Sequence, residues 1–275
     1  VMVINPNLYF KELKRYRNFF LAWSISISVL IVMELAFYYI FMKEDMVKMM
    51  ATFLENPFVK NMMTAFGTSL DVLTNELGYY ATRSAIYIML LGTFFSIMLA
   101  SKILAREEHE KTAEFLLTKP VTRLEIVWSK LAAFLTYLLL LSVMILLAGS
   151  ISLEIFKGES IFRLSAFFVH SFYFFLLMLT FGAIGLFLSL LIKRGRPITN
   201  VSFGLVFGGY LIDLLSKATQ SVSKFGYISP FKFMDSGVLR PDYSLEWWRV
   251  LYFLGISVVL IALTFIVYRK KDILV

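Results

Sequence analysis

Two histidines, no cysteine and no G-x-S-x-G leave this sequence poorly equipped for covalent or metal chemistry. His109-Glu110 opens an H-E-x-x pattern, but the fifth position is Ala113, so no zinc-binding pair forms. No G-x-x-x-x-G-K-[ST] occurs, which removes a P-loop. The residues left with chemical potential are ionisable groups inside long apolar runs. Such groups cost several kcal/mol in a bilayer and are functional candidates by default. Glu34 is the deepest, about 12 Å from the nearer end of its run at about 1.5 Å per residue. Arg83 opens the next run and can reach inward along its stem. Pairing of Glu34 with Arg83 is expected, either as glue between helices or as a cavity wall or gate. His170 reads as a hydrogen-bonder between helices, and Asp213 as the solvated end of a helix.

The elements that must position these residues are membrane helices. Of 275 residues, 59% are hydrophobic and 17% charged, with a mean hydropathy of +0.76. Soluble domains are about 45–50% apolar and about 25% charged, so an ordinary globule is excluded, as is a disordered chain. Six runs reach the roughly 20 residues that a bilayer core demands: 19–42, 79–105, 131–153, 161–192, 198–216 and 247–268. A strict alternation of short segments is absent, which argues against a membrane β-barrel. The expected fold is therefore an all-α polytopic membrane protein with six transmembrane helices, a single transmembrane domain over 1–275. No cleavable signal peptide is expected, because the first 18 residues are polar and basic and the run after them is too long. The connections on one side carry 16 lysines and arginines, and those on the other carry nine over a greater length. The denser side is expected to be cytoplasmic, with both termini there. The net charge of +8 sits mostly beside the apolar runs, so lipid headgroups rather than nucleic acid are the expected partner.

The connections carry patterns of their own. Asn5-Pro6 is a helix start, and Tyr9, Leu13, Tyr16 and Phe20 form an apolar stripe beside Lys11, Lys14 and Arg15. That predicts an N-terminal interfacial helix over 1–18. In the 43–79 outer loop, Met46, Met49, Met50 and Phe53 and then Phe58, Met62 and Phe66 recur at helical spacing, with Pro57 between them. Two short amphipathic helices are expected there. Gly204-x-x-x-Gly208 in the fifth run and Gly182 and Gly185 in the fourth permit close helix contact, within one chain or between two.

The connection over 106–125 is the most informative. Glu107 and Lys111 stand at i and i+4 in the favourable order. Phe115, Leu116 and Leu117 are adjacent apolar residues on the water side, Pro120 stops the helix, and Thr122-x-x-Glu125 is a capping box for the next one. A short acidic helix with an apolar end, held between two membrane helices, reads as a docking surface.

This stretch closely resembles the coupling region of ABC-2 type transporter permeases, roughly E-x-E-x-x-T-x-E-x-L-L-x-x-P-[ST]-R followed by a lysine. Glu108, Glu110, Thr112, Glu114, Leu116, Leu117, Pro120, Thr122, Arg123 and Lys130 stand in the same order, with one residue instead of two between Glu110 and Thr112. Val121 intervenes before Thr122, and Lys111 replaces a frequent glycine. The resemblance implies six spans, a short cytoplasmic coupling helix and no nucleotide site on this chain. It implies a separate ABC ATPase, two copies per transporter, which holds ATP and Mg and docks on Glu110, Thr112, Glu114, Phe115, Leu116, Leu117, Pro120 and Arg123. It further implies a second permease subunit, as a homodimer or with a sibling chain, in the cell membrane of a bacterium. From the family's architecture alone, Tyr87, Phe94 and Phe95 join Glu34 and Arg83 as a candidate substrate pathway. A wall rich in Phe, Tyr and Met fits a hydrophobic or amphipathic cargo, such as a toxin or antimicrobial peptide. Alternatives are export of drugs, lipids or ions, or ATP-independent secondary transport.

Overall fold

The structure, a computed structural model, describes residues 4–41, 48, 51–53, 55–60, 72, 74–109, 121–156, 163–191, 198–218, 220–235 and 237–270. Helix α1 (Pro6–Phe41) is followed by a short α2 (Glu76–Tyr79). A π-helical turn (Tyr80–Ser84) carries α2 without a break into α3 (Ala85–His109). Then come α4 (Arg123–Phe156), α5 (Leu164–Leu191) and α6 (Ile198–Ala218). Two 3₁₀ segments, Gln220–Ile228 and Pro230–Phe233, lead to α7 (Trp247–Lys270). Among the described residues there is no strand, and six helical stretches are long and apolar enough to cross a membrane.

The central pair is α3 and α5. In their apolar stretches 67% and 72% of residues are buried, against 22% in α1, α6 and α7. Small residues make this proximity possible. A Cβ on Gly182 would lie 2.1 Å from Phe134 Cζ and 2.6 Å from Ser96 Oγ, and one on Gly185 would lie 2.6 Å from the Ile97 carbonyl oxygen. Ser96 donates to the Met178 carbonyl at 2.5 Å and Ser101 to that of Gly185 at 3.1 Å, so the hydroxyls are satisfied across the seam. Around this pair α1 packs on α4, α7 on α5, and α6 on α3 and the first 3₁₀ segment.

The N-terminal lead-in differs from expectation. Residues 6–18 are not a separate interfacial helix but the first turns of α1, which runs unbroken for 36 residues, about 54 Å at about 1.5 Å per residue. No glycine or proline interrupts it after Pro6. Its aromatic stripe meets protein: Tyr9 bonds the Thr136 hydroxyl at 2.9 Å, the Tyr137 hydroxyl donates to the Leu13 carbonyl, and the Phe20 and Tyr137 rings are 5.1 Å apart. In the 43–79 loop, Asn56 accepts from Phe58 N at 2.9 Å and starts a short helical run at Pro57. Met46, Met49, Met50, Met62 and Phe66 lie outside the described residues.

Candidate functional site: a coupling frame and a charged recess

Hydrogen bonds fasten the chain around the 106–125 connection at the end of the bundle that carries both termini. Asn5 caps α1 by accepting from Leu8 N at 3.3 Å, and its own backbone N–H donates to Ser129 Oγ on α4 at 2.8 Å. The Thr122–Glu125 capping box is formed. Glu125 Oε2 accepts from Thr122 N at 2.6 Å and from its hydroxyl at 3.0 Å, while Glu125 N donates back to Thr122 Oγ1 at 3.2 Å. Lys130 is buried, and its Nζ donates to the Ile103 carbonyl at 2.5 Å, joining the first turns of α4 to the last turns of α3. Arg123 Nη1 reaches the Arg269 carbonyl of α7 at 3.4 Å, and the Trp128 and Phe265 rings are 4.7 Å apart. Lys102 and Arg106 of α3 sit over the rings of Phe19 and Tyr16 of α1.

Both helices that bound the connection are thus fixed to α1 and to each other, and α4 also to α7. Glu110, Thr112, Glu114, Phe115, Leu116, Leu117 and Pro120 lie outside the described residues; Arg123 is the member of that group the structure places. Sequence reasoning missed Glu12, whose side chain is fully buried and pairs with Arg15 at 3.0 Å. The signal was present: Leu8, Glu12 and Tyr16 stand four apart and are all buried, but the stripe of apolar residues runs through Tyr9 and Leu13, one residue to the side, and shares Tyr16 alone with the buried row.

Toward the opposite end, the ionisable residues of the first two runs come together. Glu34 and Arg83 line one recess of about 300 Å³ with Leu30, Met33, Phe37 and Tyr79. A direct partner of Glu34 is the Tyr79 hydroxyl, which donates to Oε2 at 2.8 Å, and the Tyr87 hydroxyl also interacts with the carboxylate. Among the described residues no ion pair joins Glu34 to Arg83; Arg83 projects from the π-helical turn, exposed. Tyr87 stands within electrostatic reach of both. The remaining two pathway candidates diverge. Phe94 stacks on Phe203 of α6 at 5.2 Å. Phe95 is fully buried and stacked 5.6 Å from Phe19, so the structure puts it in the packing between α1 and α3 instead of on a surface.

At the same end, residues 234–249 are tied down by a polar cluster that sequence reasoning did not find. Arg163 donates to the carbonyls of Arg240, Pro241 and Tyr243 at 2.8, 2.9 and 3.2 Å. Asp235 accepts from Arg240 and, at 3.3 Å, pairs with Arg249, which also bonds Glu246 at 2.8 Å. His170 contributes here: its Nδ1 lies 3.0 Å from the Asp235 carbonyl and 3.3 Å from the Tyr243 hydroxyl. A carbonyl only accepts, so the proton sits on Nδ1. His170 therefore ties α5 to an ordered loop instead of to another membrane helix. Burial, reinforced by Asp235, pushes the Tyr243 hydroxyl well above the ordinary phenol range, so it stays a donor. Asp213 is another departure: it is buried and salt-bridged to Lys217 at 2.6 Å. It was expected to be solvated, but the loop folds back over the end of α6.

A bundle of six apolar helices with a rigid polar frame at one end defines a multi-pass membrane protein. The model of the family described as ABC-2 family transporter protein matches residues 7–273, and the chain belongs to that family. It is a membrane transport component of the kind that associates with an ABC ATPase. Comparison with curated proteins gives no match.

Proposed function

We propose that the chain is the permease subunit of an ATP-driven exporter and moves hydrophobic or amphipathic molecules, such as toxin or antimicrobial peptides, out of the cell. Two ABC ATPase subunits, holding ATP and Mg, dock on the 106–125 connection of a permease homodimer. In this reading the termini and that connection are cytoplasmic. The observation that carries the reading is the family match over 7–273 together with the fixed frame on both sides of the connection. Phe115, Leu116 and Leu117 form the apolar plug, and Glu110 and Glu114 meet basic residues of the motor. Closure of the motor pushes on the connection. The capping box transmits the push into α4, and Lys130 keeps α3 moving with it.

The test is co-purification of an ABC ATPase subunit co-expressed with this chain. Leu116→Asp places a charge in the apolar plug, where desolvation costs about several kcal/mol per ion. The motor is expected to fall away from detergent-solubilised complexes while the permease keeps its helix content. A variant that retains the motor in full overturns the docking assignment. Export that follows an ion gradient without ATP overturns the ATP-driven reading.

A further inference from the structure

The recess at Glu34 and Arg83 has features that packing alone does not explain. Both groups lie inside apolar helices: Glu34 is seven residues, about 10 Å at about 1.5 Å per residue, from the end of α1. Opposite charges at such depth normally pair directly, because a lone charge in hydrocarbon costs several kcal/mol. Here they share a cavity without an ion pair between them. Tyr79 fixes the Glu34 carboxylate from one side. Asn75 caps α2 by accepting from Gly78 N at 3.1 Å, and the π-helical turn that follows carries Arg83. π-helical turns inside α-helices recur at functional sites. The rim is apolar and open to the side: Met33 is 61% exposed and Phe37 55%.

We propose that this recess binds the headgroup of a zwitterionic phospholipid. Arg83 holds the phosphate, Glu34 holds the ammonium, and the acyl chains leave along Leu30, Met33 and Phe37. The guanidinium matches a phosphate through paired N–H donors, and the lipid supplies the counter-charges that the two side chains do not give each other. A volume of about 300 Å³ is at the small end of ligand sites, sized for a headgroup with its chains outside. Phosphatidylglycerol satisfies Arg83 but offers Glu34 neutral hydroxyls and no counter-charge, so the recess discriminates between headgroups. The site needs neither ATP nor the motor.

Binding is read by native mass spectrometry of the full-length permease alone, titrated with phosphatidylethanolamine or phosphatidylglycerol of identical chains. The wild type is expected to retain the ethanolamine lipid about tenfold better, equivalent to ~1.4 kcal/mol. Glu34→Gln is expected to bring that ratio close to one. Arg83→Gln is expected to lose both lipids, whereas Arg83→Lys keeps the charge and retains the ethanolamine lipid, which separates a lost contact from a lost fold. Equal retention of both lipids by the wild type overturns the proposal, as does full retention by Arg83→Gln. Loss in Arg83→Lys as complete as in Arg83→Gln overturns it too. Displacement of the lipid by millimolar inorganic phosphate identifies a free anion as the ligand and overturns the lipid assignment.

Discussion

Gly182 and Gly204 look alike in the sequence, each a small residue within an apolar run, yet their surroundings are opposite. A Cβ at Gly182 collides with Phe134 and Ser96, whereas one at Gly204 meets nothing within 4 Å. Overpacking of this kind typically costs 1–3 kcal/mol. Gly182→Ala is therefore expected to lower the thermal unfolding midpoint of the purified chain by several degrees, and Gly204→Ala to leave it unchanged or raise it. Intrinsic fluorescence during a thermal ramp checks both. Local chemistry was legible at this scale. The Asn5 cap and the Thr122–Glu125 box depend on residues three apart and form as their types dictate. Glu34 and Arg83 announced themselves as charges in apolar runs. What sequence could not supply was the neighbour brought in by tertiary packing. Tyr79, a phenol among fourteen, becomes a partner of Glu34 only because α1 and α2 lie side by side. Phe94 and Phe95 are adjacent in the chain, but successive residues on a helix point about 100° apart, and only one of them faces α6.

Among the elements, the six apolar runs were readable because hydrocarbon leaves a helix no alternative to satisfying its own backbone. Their ends were less so. α1 continues thirteen residues before its apolar run, and α4 begins eight residues before its own, since aromatic and polar side chains of the neighbouring helix replace lipid there. The joint between α3 and α4 rests on Lys130. Removing a hydrogen bond made by a charged group costs about 1.5–3 kcal/mol. Lys130→Met, of similar length, is expected to preserve the helix bundle and motor binding but to lower export per ATP hydrolysed, measured as transported cargo against released phosphate in proteoliposomes. At the other end, Arg163 is the clasp of the 234–249 segment. Arg163→Ala removes three hydrogen bonds to carbonyls at once. Amide hydrogen exchange over residues 237–246 is expected to accelerate about tenfold or more, with exchange in α3 unchanged; an unaltered rate there shows that the segment is held by its apolar contacts instead.

For the whole molecule, the unfinished surface is on α6. Gly204, Gly208, Leu211 and Leu215 fall at i, i+4, i+7 and i+11, and the two leucines are exposed while no atom lies within 4 Å of a Cβ on either glycine. In the fourth run the small residues are consumed within the chain, where Gly182 and Gly185 admit α3. In the fifth they are not, which leaves this stripe for lipid or for a second permease. Close approach through small residues, with van der Waals packing as the driving force, is how membrane helices associate when no hydrophobic gain is available. A homodimer of this chain is therefore expected to use α6. The double variant Gly204→Leu, Gly208→Leu fills the stripe at two positions where a Cβ meets no other helix within 4 Å. Its unfolding midpoint is expected to match that of the wild type, and its dimer fraction in liposomes, counted by single-molecule photobleaching at low density, to fall about tenfold. In the proposed assembly two motor copies engage two permeases side by side, so ATP-driven export is expected to fall with the dimer fraction, while each permease still binds a motor subunit. A double variant that dimerises and exports like the wild type leaves α6 to the lipid and moves the seam to another helix.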